Sequence, residues 1–97
     1  MRSFLHVGIA FHGSPKVEEL EPIFNKATDW LRYAPNCWIV FTGLTPRRWH
    51  ERLKPHLDPQ DHLFVVLIDV QQRSGFLPRW AWDWIKKDRT DESTAED

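Results

Sequence analysis

A single cysteine, Cys37, occurs in 97 residues, so the chain can form no internal disulfide and cannot build a thiolate metal cluster by itself. No run of about 18 apolar residues is present, which excludes a membrane-spanning helix. Met1-Arg2-Ser3-Phe4 leads into a mixed segment without a signal-peptide cleavage pattern, and the expected setting is the reducing cytoplasm. The four glycines make no phosphate-cradling loop, and neither a nucleophile elbow nor a Cys/His pair at catalytic spacing is found. No carboxylate precedes Glu18, no segment repeats, and no internal linker divides the chain.

The chain is rich in core material. Its hydrophobic fraction is 41% and its aromatic fraction 13%, with six tryptophans, enough to enclose one core without covalent staples. Residues 88–97 carry five acids, one arginine and no large apolar side chain, which reads as a disordered acidic tail after a single α/β domain of residues 1–87. The formal charge is −1 overall and +3 for residues 1–87 alone, a mildly basic body that would not repel a phosphate backbone.

Strand-compatible residues Phe4 to Phe11 end at the turn signal His12-Gly13-Ser14-Pro15. Val17, Leu20, Ile23, Phe24, Ala27, Trp30 and Leu31 then follow helical spacing. Proline is costly deep in a helix, so this helix is expected either to start near Glu21 with Pro22 in its first turn or to bend there. Cys37 to Thr42 reads as a second strand. Thr45 as N-cap and Pro46 at the first helical position announce a helix whose Trp49, Leu53 and Leu57 face the sheet. Leu63 to Val70 is almost uninterrupted apolar sequence, as in a central strand covered on both faces or a sheet half covered by a partner. Residues 78–87 fit both periods, and Pro78 with the Trp80/Trp84 pair favours a short helix. The order fits an α+β, ferredoxin-like sandwich of three or four strands with two helices on one face, or an open parallel sheet that would ask for more strands.

The run Cys37-Trp38-Ile39-Val40-Phe41-Thr42, the helix from Pro46, the segment Leu57-Asp58-Pro59-Gln60-Asp61-His62-Leu63-Phe64-Val65-Val66 and the closing Trp84-Ile85-Lys86 resemble stand-alone relatives of the small CRISPR-associated ferredoxin-fold endoribonuclease family. That resemblance implies a ferredoxin-like fold dimerising through its sheets, duplex nucleic-acid binding and, in some members, metal-dependent phosphodiester cleavage. The family's first strand ends in a Tyr-Asp pair whose aspartate is held to ligate a divalent metal. Here the equivalent stretch is Ile9-Ala10-Phe11-His12-Gly13, so the aspartate is missing and that role cannot be carried over. Hard cations need oxygen ligands. The short stretch before Trp38 also suggests that one strand of the family's sheet is shrunken or absent.

Two weak catalytic candidates follow. His12 lies at the mouth of the first strand, where it could act as a base or meet a phosphate, although a satisfied loop histidine is the simpler reading. Asp69 ends the most apolar strand, and a structural role is favoured there too. Asp58 and Asp61 read as turn formers, His6 as a packed strand histidine, and His50, His56 and His62 lack zinc-site spacing. No metal or cofactor is expected. Arg47, Arg48, Arg52 and Lys54 form the basic cluster of one helix and could grip phosphates, or could be a solvated face. Trp80, Trp82 and Trp84 are assigned to an interface rather than to base stacking. The expected function is a non-catalytic homodimeric module binding duplex nucleic acid or a protein partner, away from membranes. The alternative is a divalent-metal nuclease using His12 or Asp69.

Overall fold

The computed structural model describes residues 2–89. Its elements are β1 (Ser3–Ala10), α1 (Val17–Phe24), β2 (Asp29–Ala34), β3 (Cys37–Thr42), α2 (Pro46–Leu53), a single 3₁₀ turn (Lys54–His56), β4 (His62–Ile68) and α3 (Arg79–Lys86). Four strands form one sheet in the order β2-β3-β1-β4, and every neighbouring pair is antiparallel. The fold is therefore α+β, with β1 and β3 in the middle and with β2 and β4 at the edges.

Strand alternation gives the sheet two unlike faces. Leu5, Val7 and Ile9 of β1 and Trp38 and Val40 of β3 point to the first face, where they meet Leu20, Ile23 and Phe24 of α1 and Trp49 and Leu53 of α2. Phe24 stacks on Trp38 with ring centroids 4.8 Å apart and on Trp49 at 6.0 Å, so one phenylalanine joins both helices to the sheet. Trp49 is fully buried, yet its indole N–H is satisfied by donating to Thr42 Oγ1 at 2.9 Å. The cap expected at Thr45 forms: its hydroxyl accepts the Arg48 amide at 3.2 Å, and Pro46 occupies the first turn.

The register places Phe4, His6 and Gly8 on the second face, together with Ile39, Phe41, Cys37, Phe64, Val66 and Ile68. Helix α3 lies over the β2 side of this face, burying Ala81 and Ile85 and setting Trp84 edge-on to Phe4 at 5.9 Å. Residues 78–87 are thus mostly helical, as Pro78 and the Trp80/Trp84 spacing suggest.

Two expectations are corrected. The first helix does not run through Leu31: it stops at Phe24, and Trp30 and Leu31 belong to β2, opposite Val40 and Ile39. Their helical spacing is a coincidence overridden by tertiary pairing, since within β2 they point to opposite faces. The short stretch before Trp38 therefore holds a full strand of six residues, and Pro22 stands in the second turn of an eight-residue helix. The second correction concerns Leu63 to Val70. Strand β4 is apolar like a central strand but sits at the sheet edge, with Phe64 65% and Leu67 60% exposed.

Candidate functional site

His12 and Asp69 follow the ends of β1 and β4, strands that run antiparallel with Ala10 opposite His62 and Phe4 opposite Ile68. Six residue steps of strand separate those two levels and both residues lie beyond them, which puts His12 and Asp69 more than about 20 Å apart, at opposite ends of the sheet. Asp69 is engaged locally, its carboxylate accepting the Gln71 amide at 2.9 Å in a side-chain-closed turn. The His12 side chain is exposed, and its backbone amide donates to Asp61 Oδ1 at 2.7 Å.

Asp61 is the organising carboxylate at that end. Its side chain is 1% exposed and accepts the amides of His12 and of Asp58, the latter at 2.8 Å, with Lys16 Nζ 3.9 Å away. These backbone bonds, helped by Lys16, hold its carboxyl below the ordinary value of 3.8. Lys16 also pairs with Asp58 at 2.8 Å. The turn-forming role expected of Asp58 and Asp61 is what the geometry shows, and Asp61 further ties the loop after β1 to the turn before β4. Among the described residues, no group of three or more His, Cys, Asp and Glu side chains converges to hold a metal ion.

The basic residues of α2 do not share one stripe. With Trp49 and Leu53 buried, the helical wheel sends Arg48 and Arg52 to one flank, Arg47 and Lys54 toward the other, and Glu51 between them. Glu51 lies 3.7 Å from Arg47 and 3.9 Å from Arg48, exposed contacts of little energetic weight. The guanidinium of Arg52 sits over the Trp49 ring at 5.3 Å, a packing contact. Arg47 also lines a groove of about 530 Å³ between α2 and β4, floored by Leu63, Phe64 and Val65.

The open part of the second face holds a polar cluster that sequence reading treated one residue at a time. His6 Nε2 is hydrogen-bonded to the Tyr33 hydroxyl, and Tyr33 in turn meets the Cys37 side chain. Burial, with the Cys37 contact, pushes the phenol up to about 12, while burial lowers the His6 imidazole from 6.5. Both groups are therefore neutral near pH 7. Gly8 stands opposite Cys37 on the same face, and a Cβ there would touch the His6 ring at 3.6 Å, an ordinary van der Waals contact. Nothing in the linear sequence joined His6 to Tyr33, because the strand carrying Tyr33 was hidden under a helical spacing.

The three tryptophans of α3 have three different surroundings. Trp84 is packed within the chain against Phe4, Trp82 leans on the backbone at Gly75, and Trp80 is 53% exposed. Arg89, which composition assigns to the acidic tail, folds back onto Phe4, Phe41 and Trp84. Residues 90–97 of that tail lie outside the described residues. No helix among the described residues is long and apolar enough to cross a membrane. No protein-family model, curated protein or solved structure matches the chain.

Proposed function

We propose that this chain is a non-catalytic module of ferredoxin-like type that works by association, as a homodimer joined along the edge of β4 and the open part of the second sheet face. One observation carries the reading. β4 is a seven-residue edge strand, His62-Leu63-Phe64-Val65-Val66-Leu67-Ile68, with no proline, no lysine and no bulge against β1, and two of its large apolar side chains are mostly in water. Edge strands that stay unpaired usually carry such interruptions, because a bare row of backbone donors and acceptors invites another strand. An antiparallel pairing of β4 with its own copy is two-fold symmetric and self-complementary. It also covers Phe64, which otherwise stands beside Gly8 and Cys37 on an uncovered surface. The strand order and two-helix face support the ferredoxin-like description, and the charge-free edge supports the dimer expected from the family resemblance. Light scattering at two concentrations tests it: the wild type should give twice the monomer mass and Phe64→Asp the monomer mass, whereas a wild-type monomer at both concentrations would refute the dimer.

Nucleic-acid binding is the second reading, favoured by the exposure of Arg47 and Arg48 on α2. Its signature is salt-sensitive duplex binding that weakens in Arg47→Ala and Arg48→Ala. A nuclease built on His12 or Asp69 gains no support, because Asp69 is engaged by the Gln71 amide in its own turn and neither residue belongs to a cluster of metal-ligating side chains among the described residues. Labelled RNA and duplex DNA incubated with Mg²⁺ or Mn²⁺ should remain intact, and products lost in His12→Ala or Asp69→Asn would reverse that conclusion.

A further inference from the structure

The second face contains a cation site that the chain fills with its own side chain. The Arg89 guanidinium lies 4.3 Å from the Trp84 ring centroid and 5.3 Å from those of both Phe4 and Phe41. The two phenylalanines are cross-strand partners on β1 and β3, and Trp84 descends on them from α3, so three separate elements contribute one ring each. Nη2 of Arg89 donates to the Trp84 carbonyl at 2.6 Å and lies 3.5 Å from the Asp29 carboxylate, and Nη1 donates to the Lys87 carbonyl at 3.2 Å. The Arg89 side chain is only 6% exposed. Ring faces and a carboxylate converging on one small volume are what recognises a planar organic cation.

Two features mark Arg89 as an imperfect occupant. Its Nε is buried with no acceptor among the described residues, the penalty a tethered ligand suffers when its backbone fixes the approach. Asp29 is also shared, with Lys87 Nζ 3.5 Å away, so the carboxylate is not committed to Arg89. Arg89 is three residues beyond the end of α3, whereas Phe4, Phe41 and Asp29 stand on strands, so withdrawing Arg89 leaves those parts of the site in place.

We infer that Phe4, Phe41, Trp84 and Asp29 form a guanidinium-binding cage that Arg89 occupies in cis, and that the class of ligand able to replace it is an arginine side chain presented by another polypeptide. A competing guanidinium meets a site already filled, so its apparent affinity falls by the fraction of time the cage is empty, about tenfold if Arg89 is seated nine-tenths of the time.

Small-molecule rescue in the full chain tests the cage. Arg89→Ala is melted with and without methylguanidinium, and in parallel with methylurea, a neutral molecule of similar shape. Methylguanidinium should raise the melting temperature of Arg89→Ala, methylurea should not, and the wild type should respond at least about tenfold more weakly in concentration. The response should disappear in Arg89→Ala combined with Asp29→Asn, a pair that keeps all three rings. If Arg89→Ala is unfolded at the outset, recovery of folded protein with methylguanidinium is the same readout, and Arg89→Gln supplies a milder variant. Equal responses to methylguanidinium and methylurea, or no response in either variant, would show Arg89 to be a fixed packing residue and overturn the cage. Fluorescence titration of Arg89→Ala with N-acetylarginine amide should saturate, and a failure to saturate would remove the arginine assignment.

Discussion

The two faces of the sheet are made from the same four strands but are closed in different ways. The first is sealed over β1 and β3 by α1 and α2, with Leu5, Val7, Val40, Phe24, Trp38, Trp49 and Leu53 all almost wholly removed from water, although Leu67 of β4, opposite Leu5, is 60% exposed. The second is sealed only on the β2 side, by an eight-residue helix and one arginine, and lies open from His6 and Gly8 out to Phe64 on the edge. A face that can be closed by its own helices accounts for stability. A face left half open needs another explanation, and the association proposed above would supply one.

If the first face carries the stability, the largest loss should come from its centre. Trp49→Ala should destabilise the chain by about 3–5 kcal/mol in urea unfolding, through the cavity left in the core and the lost hydrogen bond to Thr42 Oγ1. Thr45→Ala removes the cap of the helix that carries Trp49 and should cost about 1 kcal/mol in the same assay. On the second face, burial lowers the His6 pKa from 6.5, so the folded state binds its proton less readily than the unfolded chain. Stability from this source is fully present above pH 6.5 and falls as pH drops through the folded value. His6→Asn should flatten the pH dependence of the melting temperature below pH 6.5, a smaller effect than losing the cap. Smallest of all, Phe64→Asp should change the intrinsic stability of the monomer by no more than about 0.5 kcal/mol while altering its association. A large intrinsic loss there would mean that Phe64 belongs to the core and that the two faces are not so different.

The first face was legible in the sequence because its signals are local. Thr45-Pro46 specifies the start of α2, the spacing of Trp49 and Leu53 specifies its buried side, and Cys37 to Thr42 specifies a strand. The second face was read less well, for reasons of geometry. Trp30 and Leu31 satisfy a helical period by accident, and only pairing with Val40 and Ile39 reveals β2. An apolar strand looks the same in sequence whether its neighbours are in the chain or in another copy, so Leu63 to Val70 fitted a central strand as well as a sheet half covered by a partner, and only the topology puts β4 at the edge. Arg89 looked like one more polar residue of an acidic end, because a cation over three rings from three elements leaves no pattern along the chain. Among the candidate residues, register alone separates His12 from Asp69, and helix phase alone divides Arg47 and Lys54 from Arg48 and Arg52.

The most direct measurement is amide hydrogen exchange along β4 at increasing protein concentration. The backbone N–H groups of residues 62–68 that β1 does not engage should become protected as concentration rises, and Phe64→Asp should abolish that protection while leaving the amides of β1 and β3 unchanged. Rapid exchange of those outward amides at every concentration in the wild type would contradict the account, because the edge would then be unpaired in solution.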